Sequence, residues 1–164
     1  MKTEILFPEV ANLCGDLMNV TYLRQCCPKM EVVETGLKDR PAFLDGGVDL
    51  VYVGSATERG LQLMVKALAP YRAELERYVD GGGLMLATGN ALDALGEYVV
   101  IDGKRAFDGL GILKTHAEYH MMKRHNSFLL GSFQDMEIVG FKSLFGHTYP
   151  DDELANPLFR VERG

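Results

Sequence analysis

The sequence predicts an α/β domain: a doubly wound parallel sheet with antiparallel strands added in the C-terminal half. Three observations carry this. In the first half, short apolar runs alternate with segments of helical periodicity, and β-α alternation folds as a parallel sheet. One of those runs, Asp49-Leu50-Val51-Tyr52-Val53, is nearly continuous in apolar residues, as a strand covered on both faces must be. In the second half the helical period gives way to hairpins and alternating runs.

The elements follow in order. Glu4 to Phe7 is a short apolar strand ended by Pro8. Asn12-Leu13-Cys14-Gly15-Asp16 is a turn-rich loop, and Asn19 or Asp16 can cap a helix that runs to about Cys27, where Pro28 stops it. Met30 to Val33 is a second strand, and Asp49 to Val53 a third, ending at Gly54-Ser55. Thr57 to Asp80 is helical in pattern, with Leu61, Met64, Val65 and Leu68 on one face and Pro70 at the first turn of a second helix. Gly81 to Leu92 reads as loop, buried strand (Leu84 to Ala87), sharp turn and helix, with Gly96 as the residue after that helix. Tyr98 to Phe107 is a hairpin on a two-residue Asp102-Gly103 turn. His116 to Lys123, Ser127 to Phe133 and Glu137 to Phe141 are further strands. No linker divides the chain, so 1–164 reads as one domain, flavodoxin-like in its first half.

Composition narrows the function classes. A chain of 164 residues with 47% hydrophobic residues buries a core without metal or disulfide staples. A net charge of -6 argues against a phosphate-backbone partner. No apolar stretch is long enough for a membrane span, and Met1-Lys2-Thr3-Glu4 leads into a strand rather than a signal sequence, so a cytoplasmic protein is expected. The cysteines are Cys14, Cys26 and Cys27; an odd number argues against a disulfide framework, and the adjacent pair is expected in helix-end packing.

A strand that ends in a small-residue turn and enters a helix is the geometry of a nucleophile elbow, and Thr88 is at its apex. Several separated segments resemble class I glutamine amidotransferases, of the type found in cobyric acid synthase and in the glutaminase subunit of lipid II isoglutaminyl synthase. Leu6-Phe7-Pro8 with Asn12-Leu13-Cys14-Gly15-Asp16 and Asn19 resembles that group's opening, with Cys14 in place of a tyrosine. The strand before Gly54-Ser55 resembles the one whose loop supplies an oxyanion-hole amide, and Leu84 to Gly96 resembles the elbow. Phe107 to Leu113 and the pair Ile138 to Phe141 and Gly146 to Tyr149 resemble later glycine-rich segments.

The departures set the functional expectation. The family elbow carries cysteine-glycine-glycine and, soon after, glutamine; here it is Thr88-Gly89-Asn90, with Leu92 at the glutamine position. His147 is the last histidine and aligns with an arginine. The chain ends at Gly164, soon after an Asn156-Pro157 turn, which leaves truncation at the C-terminus open. Glutamine hydrolysis in the family needs a thiolate, a histidine and backbone amides for the oxyanion. The resemblance therefore implies a relative of glutaminase subunits that deliver ammonia to a ligase, catalytically impaired at Thr88. The alternatives are a non-catalytic interaction subunit and a flavodoxin-like small-anion binder.

The candidate site residues are Thr88 at the nucleophile position and Gly54, Ser55, Gly89 and Asn90 around the substrate. The resemblance implies glutamine or another small carboxylate as ligand and a ligase or synthetase subunit as partner, and no cofactor. A small anion is expected at the start of the Asn90 helix. Each residue also has a plainer role. Thr88 can cap the elbow helix, and Gly54-Ser55 can be an ordinary strand-end turn. Cys14, with no histidine near it in sequence, is expected to be a half-buried loop thiol rather than a relocated nucleophile. His116, His120 and His125 have metal-ligand spacing on a helix, but nothing in the sequence completes a compact set, so no metal site is expected. Asp151-Asp152-Glu153 reads as a solvated acidic run.

Overall fold

The computed structural model describes residues 1–151 and 159–164. Asp152, Glu153 and the Asn156-Pro157 turn lie outside the described residues. The first half forms β1 (Lys2–Leu6), α1 (Met18–Cys26), β2 (Glu31–Thr35), β3 (Leu50–Val53), α2 (Glu58–Leu68), α3 (Arg72–Asp80) and β4 (Leu84–Ala87). The four strands are parallel, in the order β2-β1-β3-β4. The expected parallel sheet is therefore present, with strand ends shifted by at most two residues and β4 unshifted.

The period-2 pattern of the strands sorts their side chains between two helical layers. On one face Val20 of α1 packs with Ile5, Met30 and Tyr52. On the other, Leu61, Met64 and Leu68 of α2 and Leu75 of α3 pack with Leu6, Val51 and Val53. Each such buried leucine contributes about 2 kcal/mol of burial free energy. Thr57 caps α2 by accepting a bond from the Gly60 N–H at 3.1 Å. Pro70 sits in a short 3-10 turn that joins α2 to α3.

Glu4 is a fully buried carboxylate. It survives there because it accepts bonds from Thr35 Oγ1, Ala42 N and Phe43 N at 2.5, 2.6 and 2.7 Å. From β1 the chain first goes to β2 on one side and then returns to β3 on the other. The crevice outside the carboxyl ends of β1 and β3 is therefore the topological switch point, where open α/β sheets bind ligands.

The second half forms β5 (Tyr98–Ile101), β6 (Lys104–Asp108), β7 (Thr115–Tyr119), β8 (His125–Phe133), β9 (Met136–Leu144), β10 (Gly146–Pro150) and β11 (Arg160–Arg163). They make two sheets, ordered β10-β7-β5-β6 and β11-β8-β9. The β5–β6 hairpin turns on Asp102 and Gly103, both with positive φ, as a two-residue Asp-Gly turn requires. The pairing is antiparallel except between β5 and β7, which run parallel.

Several expectations are corrected. β4 is not a buried strand: it is the edge of its sheet, with Leu84 and Leu86 exposed on the α1 side, because α1 packs over Ile5, Met30 and Tyr52 and leaves that margin open. Neither Asp16 nor Asn19 caps α1; its N-cap position is Leu17, whose amide donates to Asn12 Oδ1 at 2.9 Å. The elbow helix is a six-residue 3-10 turn, Gly89–Ala94. Gly96 is not left-handed; its amide bonds Asp93 O as that turn closes. Cys26 and Cys27 are free and exposed rather than packed, and Cys14 is exposed with φ +59.

Candidate functional site

Three segments converge at the switch point. The loop after β1 brings Leu13 and Asp16, the end of β3 brings Gly54 and Ser55, and the end of β4 brings Thr88 and Gly89. The loop is tied to β3 by the Leu13 N–H to Ser55 O at 2.9 Å and by Ser55 Oγ to Leu13 O at 3.2 Å. Gly54 is required by close approach: a Cβ there would run into Ala11 O. Gly89 has φ +55, and its Cβ would fall 2.7 Å from that of Ser55.

At the apex, Thr88 does not cap the turn that follows; no side-chain cap bond forms. Its hydroxyl donates to Asp16 Oδ2 at 2.7 Å and lies 3.0 Å from the Tyr52 hydroxyl. The Ser55 amide, placed as an oxyanion-hole donor, also donates to Asp16 Oδ2, at 2.6 Å. Asn19 Nδ2 donates to Asp16 Oδ1 at 3.0 Å, and Tyr52 OH donates to Asp16 O at 2.8 Å. Burial pushes the Asp16 carboxyl up, but the Ser55 amide and the Thr88, Ser55 and Asn19 side chains outweigh it, so its pKa lies below the usual carboxylate value. The donor meant for an external anion thus already holds an internal one. The turn after Thr88 is also too short to add a helix dipole, so the expected small-anion site loses both of its supports.

Beside this network lies a cavity of about 510 Å³ between the two halves of the chain. Ser55, Gly89 and Asn90 line it; Gly54 and Thr88 do not. Its other walls come from Glu58 and Asp93 and from the β9–β10 segment with His147 and Thr148. The sequence-derived set is therefore split: three residues face the cavity, while Thr88 turns toward Asp16. Asn90 spends its amide on the backbone of Ala56, accepting from its N–H at 3.0 Å and donating to its carbonyl at 2.8 Å. It clamps the loop after β3 to the turn after β4.

Asp93 is the buried acid of the cavity, 4% exposed. Tyr119 OH donates to its Oδ2 at 2.5 Å and Thr148 Oγ1 to its Oδ1 at 2.6 Å. Burial raises its pKa, and the two hydroxyl bonds only partly offset this. Burial and the adjacent Asp93 hold the Tyr119 phenol firmly protonated, well above its ordinary value. His147 is held below the ordinary imidazole value by burial and by the nearby His125, Lys142 and His120. Its ring meets the edge of His125 at 5.1 Å.

His116 is stacked between Tyr98 and Tyr149, at 5.1 and 5.5 Å, with Nδ1 at 2.6 Å from Asp151. Among the described residues no group of three His, Cys, Asp or Glu is placed to hold a metal ion. Also among them, no helix is long and apolar enough to cross a membrane.

Sequence reasoning placed Asp16 as a capping candidate and in the segment resembling the family's opening, and missed Tyr52, Asp93, Tyr119 and Thr148 as a polar framework. Tyr52 carried a signal, being a polar tip in an aliphatic strand that ends at the switch point. Asp93 carried a weaker one, a lone acid among Leu92, Ala94 and Leu95.

No family model matches the chain. It is 28% identical over 145 residues to the lipid II isoglutaminyl synthase (glutamine-hydrolyzing) subunit GatD of Staphylococcus aureus (strain N315), covering 85% of this chain and 58% of that protein. It is 22% identical over 167 residues to the subunit of the same name from Streptococcus pneumoniae (strain ATCC BAA-255 / R6), covering 97% of this chain and 62% of that one. A crystal structure of a glutamine amidotransferase superimposes with a TM-score of 0.51 at 14% identity, covering 84% of this chain and 69% of that one.

The chain is similar to these glutaminase subunits and shares the α/β fold of a glutamine amidotransferase. It spans about three-fifths of the length of the curated relatives it matches. Where the sequence suggests an elbow, β4 passes through Thr88 directly into the Gly89–Ala94 3-10 turn.

Proposed function

We infer that this chain is an amidotransferase-like subunit whose elbow does not hydrolyse glutamine. In this reading it serves a cytoplasmic ligase as a folded partner rather than as its ammonia source. The observation that carries the reading is the pairing of Thr88 with Asp16. An attack on the glutamine amide would need the Thr88 proton removed. Asp16 is the group bonded to that proton, and its depressed pKa makes it a poor base. The Ser55 N–H, given to the same carboxylate, is withheld from a developing oxyanion. Nucleophile, base and oxyanion donor are thus bonded to one another.

Support for a ligase partner comes from the relatives, both of which are described as subunits of a glutamine-hydrolysing synthase. The cavity beside Ser55 and Asn90 is large enough for a small carboxylate such as glutamine, whose α-amino group Glu58 would face.

The test is ammonia release from glutamine by the purified chain, followed with a coupled glutamate assay. The expected rate is that of buffer. Turnover that persists in Cys14→Ser and vanishes in Thr88→Val would make Thr88 a working nucleophile and end this reading. Turnover that vanishes in Cys14→Ser would move the nucleophile to the loop after β1.

A further inference from the structure

The cavity beside Ser55 and Asn90 is walled by groups that have already spent their hydrogens. A hydroxyl has one hydrogen to donate. Tyr119 OH and Thr148 Oγ1 both give theirs to Asp93, and Ser55 Oγ gives its to Leu13 O. The Asn90 amide is committed to the backbone of Ala56, and its side chain also hydrogen-bonds Tyr119. What these four residues have left for a ligand is oxygen lone pairs.

The charge of the wall has the matching sign. Glu58 lines the cavity, and none of the ion pairs among the described residues engages its carboxylate. Its charge reaches the Tyr119 phenol and helps to keep it protonated. No Lys or Arg lines the cavity among the described residues, and the sequence of residues 152–158 contains neither. Lys142 and Arg124 approach the lining residues His147 and Phe145 without lining the cavity themselves. His147 is held below the ordinary imidazole value, so it is neutral at pH 7 and adds no positive charge. One positive pole borders the cavity, the start of α2. It is equivalent to about half an elementary charge, and Glu58, in the first turn of that helix, outweighs it.

A ligand suited to this wall brings hydrogens and positive charge. A primary ammonium has three donors and no acceptor. A carboxylate has acceptors only. Here it would meet lone pairs and a like charge, with no lining cation to offset the loss of its water.

We infer that the cavity takes a small primary amine, with Glu58 selecting its ammonium group and no counter-charge provided for a carboxylate. The inference rests on the reading of this cavity as the ligand site and names the end of the ligand that is recognised. Of the two charged ends of glutamine, the ammonium is held and the carboxylate is not. An amine that lacks the carboxylate therefore binds more tightly than glutamine itself.

Three compounds with the same amide chain test this: glutamine; γ-aminobutyramide, which is glutamine without its carboxylate; and glutaramate, which is glutamine without its ammonium. Each is titrated at neutral pH into the isotope-labelled full chain, with the NMR shifts of the Ser55, Asn90 and His147 amides reporting the cavity. γ-Aminobutyramide should bind most tightly, glutamine about threefold or more weaker, and glutaramate at least about tenfold weaker than the amine. Glu58→Gln should weaken γ-aminobutyramide about tenfold, the loss of one charge-assisted hydrogen bond. Glu58→Lys should invert the order and put glutaramate ahead, a gain that a misfolded variant would not show. Glutamine or glutaramate binding as tightly as the amine overturns the inference and leaves the cavity as the ligand site. So does an amine affinity indifferent to Glu58→Gln. Shifts at none of these amides with any of the three compounds overturn both the inference and the cavity as the ligand site. Ammonia release from glutamine in the coupled assay would end only the reading of the elbow.

Discussion

Asp16 is the residue on which most of the site depends. One of its carboxylate oxygens takes both the Ser55 amide and the Thr88 hydroxyl. Asp16→Ala takes the acceptor from the Ser55 amide and leaves the Thr88 hydroxyl only the Tyr52 hydroxyl and Val53 O within reach. The expected cost at pH 7 is about 1 kcal/mol, toward the low end of the range because the group is partly solvated. The sign with pH follows from its depressed pKa. The contribution is complete above the ordinary value of 3.8 and is lost as pH falls through the lower folded value. Wild type and variant should therefore converge in melting temperature below about pH 4. A gap that stays constant through that range would mean that the carboxylate's charge is not what stabilises the loop. The same charge decides the chemistry of a thiol placed at the apex. Sequence alone suggests that Thr88→Cys would give a reactive thiol at a helix start. With Asp16 Oδ2 where the Thr88 proton points, the thiolate would form beside a carboxylate, and its pKa should rise. Iodoacetamide should therefore label the thiol introduced by Thr88→Cys more slowly than the exposed Cys26 and Cys27, and adding Asp16→Asn should speed it about tenfold. Mass spectrometry of the labelled peptides reads both rates; equal rates with and without Asp16→Asn would remove the carboxylate from the account.

At the level of elements, the site is a meeting of strand ends held by glycine and by buried acids. β1 and β3 diverge at the switch point, and the loop after β1 folds back until Ala11 O reaches Gly54. Gly54→Ala forces a Cβ into that carbonyl and should cost about 1–3 kcal/mol, seen as a lower urea midpoint with an unchanged m-value. Gly103→Ala is strained only through its positive φ, with nothing near it, and should cost about 1 kcal/mol. Asp93 links the turn after β4 to β7 and β10 through Tyr119 and Thr148. Its folded pKa is raised, so its contribution is complete below 3.8 and is lost as pH rises through the folded value. Asp93→Asn keeps a neutral hydrogen-bonding group there. Its melting temperature relative to wild type should rise between about pH 4 and pH 8. A relative melting temperature that falls over that range would show that the ionised acid is the form the fold prefers.

At the level of the molecule, Leu6, Val53 and Leu61 of the first half share one buried cluster with Val99, Leu110, Ala117 and Tyr119 of the second. Chains built around one core unfold as a unit, so calorimetric and van't Hoff enthalpies should agree; two resolved transitions would divide 1–164 into separate domains. The periodicity of the first half was enough to give the four parallel strands and the helices between them, because burial on one or two faces writes itself into residue order. Asp102-Gly103 likewise announced its hairpin, since few dipeptides accept two positive φ values. The passage from β4 through Thr88 into a turn was also legible, because turn-forming residues are local information. What the sequence left open was decided by neighbours distant in the chain. Leu84 and Leu86 have the composition of a buried strand, yet strand order put β4 at the edge. Thr88 has the composition of a cap, yet a loop 72 residues away supplied a carboxylate for its hydroxyl. The chain determined by itself which groups are present and which local conformations they accept. Only tertiary structure decided what each polar group bonds to, because a buried donor takes the acceptor that packing brings within about 3 Å, whatever their separation in sequence.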